Sequence, residues 1–300
     1  MQTQPELRVD RSIYMKSLPR YDSKILGYIG IDNLKFIKKI EDKNVQYDLK
    51  TLYDQAIRKP DDLDDKLTNL LEFLKEHQSR LDLPLRNSLD DAKFFCYRGL
   101  MTCVACTPYE NQEGWKIVVL LYKGNIFLCA RDTEEKTHRK QNKTEKEKQF
   151  TSWGFKFEQY VLSAEPNPNI PVDENENFSL VIQTHLNHHK IIFGAEMDGI
   201  RCDNGPVPEP PGKELGPEAM IDYLADKKFI ELKTNRHIEF AKQERNFWRY
   251  KCLKWWCQSF LAGVDTILCG FRNDDGIVEH LKPYSVFGLV LRDLLKTQYS

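Results

Sequence analysis

Two β-rich runs in this 300-residue chain carry acids where a buried strand should be apolar: residues 191–200 read IIFGAEMDGI and residues 228–234 read KFIELKT. Ionised carboxylates are rarely buried unless something compensates them. Side chains two apart share one face of a strand, so Glu196 points with Asp198 and Glu231 with Lys233. If the two strands are neighbours, three carboxylates and one ammonium converge. Carboxylates so crowded repel one another unless a divalent cation neutralises them, and oxygen donors of this kind suit Mg²⁺ or Mn²⁺. A lysine two residues past a ligand can stay outside the coordination shell. There it can orient an attacking water and offset charge on a phosphorane-like transition state. Taken singly, either run also reads as an edge strand with solvated charges. Together they are the Asp…Glu-x-Lys pattern of PD-(D/E)XK nucleases.

The rest of the chain predicts an α/β (α+β) fold, with mixed sheets flanked by helices in one domain over residues 1–300. After an irregular segment at 1–24, residues 61–83 place leucines at helical spacing behind an acidic opening turn. Between 92 and 130 the texture becomes short β-rich runs, FFCYRGL, TCVACTPY, WKIVVLLY and NIFLCA, divided by turn signals. Residues 131–150 are charged and poor in apolar groups, and read as a mobile loop. A long helix is predicted over 239–262, with Gly263 as its C-cap. On it Lys251, Lys254 and Gln258 share one face, Trp248, Cys252, Trp256 and Phe260 form an adjacent core-facing series, and Trp255 lies between.

Composition excludes several classes. Lys+Arg 44 against Asp+Glu 45 leaves a net charge of −1, which argues against binding polyanions by bulk positive charge. No apolar run approaches the roughly 20 residues of a membrane span, and the N-terminus lacks a signal-peptide core. Eight cysteines scattered without an export signal read as reduced thiols, so an intracellular location, nuclear or cytoplasmic, is expected. Cys103 and Cys106 form a CxxC without a second pair at zinc-ribbon spacing, and read as part of a buried strand rather than a metal or redox site. His185, His188 and His189 do not share a strand face and read as an exposed turn, so no zinc is expected.

Around the acidic runs stand YRGLMTCVACTP at 97–108, WGFKFE at 153–158, GAEMD at 194–198, ELKT at 231–234, LKWWCQSFL at 253–261 and GFR at 270–272. In this order and approximate spacing the set resembles the decapping exoribonuclease (DXO) family, which includes the fungal Rai proteins that accompany the nuclear Rat exoribonuclease. The resemblance implies a metal-dependent pocket acting on RNA 5′ ends, whether capped, NAD-capped, triphosphate or monophosphate. Family activities include removing incomplete or non-standard caps, NAD caps among them, releasing pyrophosphate from a 5′ triphosphate, and distributive 5′→3′ exonuclease action.

Carried over by motif, Glu158, Asp198 and Glu231 correspond to ligands of Mg²⁺ or Mn²⁺, with the Leu232 carbonyl as a further oxygen. Glu196 would hold ion-associated water or a second ion. Lys233 and Gln258 would contact the scissile phosphate or the nucleophilic water. Arg98, flanked by Tyr97 and Gly99, corresponds to the phosphate-binding arginine, and a guanidinium suits bidentate contact there. Ser179 matches a substrate-contacting position by spacing. Three departures stand out: Tyr97 where the family usually has Trp, Gly199 where Cys often follows the metal Asp, and Lys35, in GYIGIDNLK, where Arg is common. Besides the enzyme, two readings stay open. One is a non-catalytic paralogue that binds RNA ends or supports an XRN-type exoribonuclease. The other is a generic PD-(D/E)XK DNA nuclease.

Overall fold

The computed structural model describes residues 21–289 apart from 38, 61–65, 80, 82–92, 111–113, 163–166, 187–188, 203–204 and 206–208. In chain order the principal elements are β1 (Ser23–Ile29), β2 (Phe36–Ile37), β3 (Lys43–Asp48), α1 (Thr68–Glu76), β4 (Lys93–Tyr97), α2 (Arg98–Cys106), β5 (Lys116–Tyr122) and β6 (Asn125–Arg131). Next come α3 (Glu134–Gln141), α4 (Glu145–Val161), β7 (Ser179–Leu186), β8 (His189–Glu196), β9 (Gly199–Arg201), α5 (Gly216–Ala225) and β10 (Phe229–Arg236). The last are α6 (Ala241–Asn246), a π-helical turn (Phe247–Cys252), α7 (Leu253–Leu261), β11 (Thr266–Arg272) and β12 (Ile277–Ser285).

The strands form two mixed six-stranded sheets, ordered β1-β7-β8-β4-β6-β5 and β2-β9-β10-β11-β12-β3. Alternation along β7 and β8 shows why these strands of the first sheet are buried on both faces. Leu180, Ile182, Ile191, Phe193 and Ala195 pack with Met220 and Leu224 of α5. Val181 and Ile192 face the other way, against Leu70, Phe73 and Leu74 of α1. That is the period of two expected of a strand covered on both sides.

The chain passes from the first sheet to the second across Met197 and Asp198. β9 then pairs antiparallel with β10, Ile200 opposite Phe229 and Gly199 opposite Ile230. The two acidic runs therefore do not meet as two neighbouring strands: the first breaks after Glu196, which is exposed at the end of β8 in the other sheet, Asp198 lies in the turn, and only β9 beyond it pairs with β10. β10 also runs parallel to β11, with Glu231 opposite Ile267 and Lys233 opposite Cys269.

Helix α4 explains the position of Glu158. Thr144 and Glu147 close a capping box at its start. Trp153, Phe157 and Val161, at i, i+4, i+8, bury against Ile230 and Leu232 of β10 and Leu268 of β11. Gly270 permits the closest approach, because a Cβ there would lie 2.6 Å from the Phe157 ring. Arg272 stacks on Phe150 and Trp153, its guanidinium carbon 4.6 Å from each ring centroid.

Several expectations are corrected. Residues 131–150 are mostly helix, not loop: they supply α3, N-capped by the Thr133 side chain, and the first turn and more of α4. Both helices carry acids in the first turn, which favours the start of a helix even in an apolar-poor segment. The TCVACTPY run is not a strand either. The strand ends at Tyr97, and Arg98 to Cys106 form α2, leaving Cys103 exposed and Cys106 half-buried. Within 61–83 the described helix is Thr68–Glu76, residues 61–65, 80 and 82–83 lying outside the described residues.

The helix predicted over 239–262 contains a π-turn at Phe247–Cys252, and Gly263, at φ 69°, ends it in the left-handed region. A π-turn takes one extra residue and rotates the next helical turn by roughly 100°. Of the predicted core series only Cys252 is fully buried. Phe247, Trp255 and Cys257 are also buried in that stretch, and Trp248, Trp256 and Phe260 are half-buried. His185 and His189 lie exposed on the β7–β8 hairpin, and His188 lies outside the described residues. No helix among the described residues is long and apolar enough to cross a membrane.

Candidate active site

Glu231 sits in mid-strand on β10 and is 2% exposed. Its two carboxylate oxygens are taken by protein cations: Arg98 Nη1 donates to Oε2 at 3.0 Å and Lys233 Nζ to Oε1 at 2.5 Å. Arg98 reaches it from the first turn of α2 and is itself 9% exposed. Asp198, in the turn between the sheets, accepts the Leu232 backbone N–H through Oδ2 at 2.5 Å. The β9 ladder ends at Ile230, and the aspartate satisfies this N–H beyond it.

The electrostatics bind these groups into one cluster. Burial and the neighbouring charges of Asp198 and Glu196 push the Glu158 carboxyl well above its ordinary value. Burial and the Glu231 charge raise Asp198 to about 7, against the partial relief of Lys233, the Leu232 N–H and Arg98. For Glu231 burial pulls upward, but Lys233 and Arg98 outweigh it and hold the carboxyl below its ordinary value. Lys233 is the mirror case: burial disfavours its charge, yet Glu231 and Asp198 raise it, so the ammonium stays protonated. Lys35 adds a further cation whose charge reaches Glu158, while its Nζ pairs with Glu176 at 3.1 Å.

Of the other predicted residues, Ser179 begins β7 directly opposite Glu196 at the end of β8, and so lies beside the acid run. Tyr97 ends β4 opposite Gly194, its ring so close that a Cβ at Gly194 would meet it at 2.5 Å. Gly199 has its own reason: a Cβ there would meet Leu162 at 2.5 Å and the Lys35 carbonyl oxygen at 3.2 Å. Gly99 faces open space. Gln258 is half-buried on α7, which packs on α2. Leu232 contributes its N–H to Asp198.

Sequence reasoning missed Asn235. It continues the 231–233–235 face of β10, is 6% exposed, and accepts a 2.6 Å bond from Lys251 Nζ. The alternation in ELKTN was the available signal.

The donor set fits a hard divalent cation. Four carboxylates, of which Glu196 is exposed, stand near the buried Arg98, the partly buried Lys233 and the outlying Lys35, and burial first, then carboxylate crowding, raises Glu158 and Asp198. Glu158, Asp198 and Glu231 would hold such an ion, with Glu196 beside them. Among the described residues no three His, Cys, Asp or Glu groups are already gathered into a ligand cage. Glu231 is held by Arg98 and Lys233, one on each oxygen, and each oxygen keeps a further lone pair with which to meet an ion.

The same charges predict a pH dependence of the metal-free protein. A carboxyl whose folded value is raised binds its proton more readily folded than unfolded, so stability falls as pH rises through the folded value. With Asp198 at about 7, unfolding free energy should drop between pH 6 and pH 8, by about 1 kcal/mol for this group alone. Glu231, lowered instead, loses its contribution only in acid below its ordinary range and does not oppose this trend. Urea unfolding at the two pH values checks it. Equal stability, or a rise toward pH 8, would contradict the crowding of Glu158 and Asp198.

The model of the RAI1-like PD-(D/E)XK nuclease family matches residues 20–297. The "Decapping and exoribonuclease protein" of Xenopus laevis is 31% identical over 235 residues, covering 76% of this chain and 55% of that protein. The Drosophila melanogaster protein named Rai1 is 32% identical over 252 residues, covering 80% of this chain and 64% of its own. The chain thus spans between about half and two thirds of the length of these relatives. Candida albicans Rai1, solved with pU5 and Mn²⁺, superposes with a TM-score of 0.70 at 21% identity, covering 91% of this chain and 75% of that one. Scheffersomyces stipitis Rai1, solved with (3′-NADP)+ and calcium ion, gives 0.69 at 23% identity, covering 91% of this chain and 73% of that one. Two mixed sheets meeting at Asp198, and the acids that motif order assigns to it, agree with these matches: the chain belongs to the RAI1-like PD-(D/E)XK nuclease family.

Proposed function

We propose that this chain is a divalent-cation-dependent hydrolase of RNA 5′ ends, removing incomplete or non-standard caps, NAD caps included, or pyrophosphate from 5′-triphosphate RNA. Action as a 5′→3′ exoribonuclease belongs to the same reading. The observation that carries it is Glu231, buried and held between Arg98 and Lys233 beside Asp198. Relatives named for decapping, and a relative solved with pU5 and Mn²⁺, support the substrate class and the ion.

A divalent cation of the Mg²⁺ or Mn²⁺ type would neutralise charge and act as a Lewis acid at the phosphate. The chain's own residues do the rest. Lys233, kept protonated by Glu231 and Asp198, is an electrostatic group rather than a base, suited to orienting the attacking water and offsetting phosphorane charge. Arg98 brings a second fixed positive charge to the place where a 5′ phosphate would enter. Gln258, neutral and half-buried, is suited to a hydrogen bond with the phosphate or the water.

No position of the acidic set departs from the family pattern, which favours an enzyme over a non-catalytic paralogue. The test is one panel: purified chain with 5′-triphosphate, GpppN-capped, NAD-capped and monophosphate RNAs, in Mg²⁺ or Mn²⁺. Release of cap, dinucleotide or pyrophosphate is expected from at least one substrate and should vanish in EDTA. A folded protein inert toward all of them would sink the proposal, and cleavage of duplex DNA without 5′-end preference would replace it.

A further inference from the structure

Outside the acidic cluster, the described residues bring a pair of thiols together across two packed helices. Cys106, the last residue of α2, is half-buried, and Cys257, on α7, is 4% exposed; the two helices pack together. The two sulfurs lie close enough for each to shift the other's proton affinity, although the residues stand far apart in sequence. Nothing in the sequence pointed to this proximity, because Cys106 read as a strand residue paired in CxxC with Cys103. The helical turn instead leaves Cys103 exposed and turns Cys106 to α7.

The surroundings divide the labour between the sulfurs. The Cys257 thiol lies beside Cys106, and the Lys254 ammonium lies near it, against burial and the more distant Glu110. Together they lower the Cys106 thiol to about 7. Cys257 is driven the other way, by its neighbour Cys106 and by burial, and remains a thiol. Burial likewise pushes the Cys96 thiol up to about 12 and raises Cys269 further. A partly exposed thiolate beside a buried thiol is the arrangement of an attacking and a resolving cysteine.

We propose that Cys106 and Cys257 form an oxidisable dithiol that closes to a disulfide between α2 and α7 on exposure to a hydroperoxide. The Cys106 thiolate attacks one peroxide oxygen. The S–O bond forms, the O–O bond breaks, and the departing oxygen takes a proton and leaves as water or an alcohol. The Cys257 sulfur then attacks the sulfenic sulfur. The S–S bond forms, the S–O bond breaks, and the Cys257 proton leaves with the hydroxyl as water. The two thiols lose two electrons and the peroxide gains them. A thiol reductant reverses the closure by exchange.

The position of this pair gives it a consequence. α2 begins at Arg98, which grips Glu231, and Gln258 directly follows Cys257. A disulfide would tie α2, and with it Arg98, to the turn of α7 that carries Gln258, fixing the relative setting of two residues of the proposed site. Resting on the function proposed above, this predicts a severalfold fall in turnover on oxidation, restored by dithiothreitol.

The experiment reads thiols first and RNA second, so failure of either can be told apart. The reduced chain is treated with hydrogen peroxide, alkylated, digested and mapped without reduction. A linked Cys106–Cys257 peptide is expected as the main cross-link. In Cys257→Ala the Cys106 sulfenic acid should accumulate and be trapped by dimedone, whereas the intact protein should trap little. Cys106→Ser, a milder change at a half-buried site, should abolish the cross-link and make turnover insensitive to peroxide. A dominant Cys103–Cys106 link, or a Cys106 oxidised beyond sulfenic acid with Cys257 still free, would overturn the proposal. So would dimedone trapping that is equal in the intact protein and in Cys257→Ala.

Discussion

Replacing Glu231 with alanine should destabilise the protein by about 3–5 kcal/mol and also abolish hydrolysis, because it strips the partner from the buried Arg98 and the partly buried Lys233. Arg98 and Lys233 are both committed to Glu231, at 3.0 Å and 2.5 Å, and among the described residues neither has a second carboxylate bond that would hold it. The sequence alone suggests that Glu231→Ala and Asp198→Ala remove ligands and leave the fold untouched. The structure separates them. Asp198 accepts one backbone N–H, and its charge raises the carboxyl of Glu158 and is itself disfavoured by Glu231. Asp198→Asn therefore removes repulsion while keeping a hydrogen-bonding shape, and its metal-free stability at pH 8 should equal or exceed that of the parent. Both variants should lose about 10²–10³-fold or more in turnover. Denaturant unfolding beside the RNA panel checks this. Equal stability losses in the two would contradict the assignment of Glu231 as the clamp of the cluster.

The second large effect lies behind the site. Phe157 is 1% exposed, at the centre of the α4–β10–β11 contact, and directly precedes Glu158. Phe157→Ala should cost about 3–5 kcal/mol, the range for emptying a large aromatic from a core. Gly270→Ala attacks the same contact from β11, where its new methyl would lie 2.6 Å from the ring. Overpacking of this kind costs about 1–3 kcal/mol. The two should not add: in the double variant the alanine methyl occupies space vacated by the ring, so the loss falls below the sum. Strict additivity would mean that Gly270 is not glycine for the sake of Phe157. Activity should fall in each single variant by more than stability explains, since Glu158 moves with α4.

How much of this was legible in the sequence depends on what each feature rests on. The acidic runs stood out because a strand has a short period and tolerates no casual charge, but the shared face expected of Glu196 and Asp198 is absent: the strand breaks between them, and only β9 beyond Asp198 pairs with β10. The six motifs gave the family. What stayed hidden was set by contacts between distant segments. Arg98 read as a phosphate ligand, but its first partner in the fold is Glu231, across 133 positions of sequence. The segment 131–150 looked like a loop because its helices bury little, and their support comes from caps at Thr133 and Thr144. The core face around Trp255 was misread because a π-turn shifts the phase, and periodicity assumes a regular helix. α2 was misread because Cys, Val and Thr favour strands in general, while here the strand has already ended at Tyr97.

The central claim is that Glu158, Asp198 and Glu231 act together as the seat of one divalent cation. Titrating Mn²⁺ into the intact chain by calorimetry, near neutral pH in two buffers of different ionisation enthalpy, tests it directly. Saturable binding with proton release is expected, because Asp198 is raised to about 7 and Glu158 above its ordinary range, with a smaller release in Asp198→Asn, where Glu158 alone remains raised by burial. Mn²⁺ binding that releases no protons, or that survives unchanged in Asp198→Asn, would contradict it.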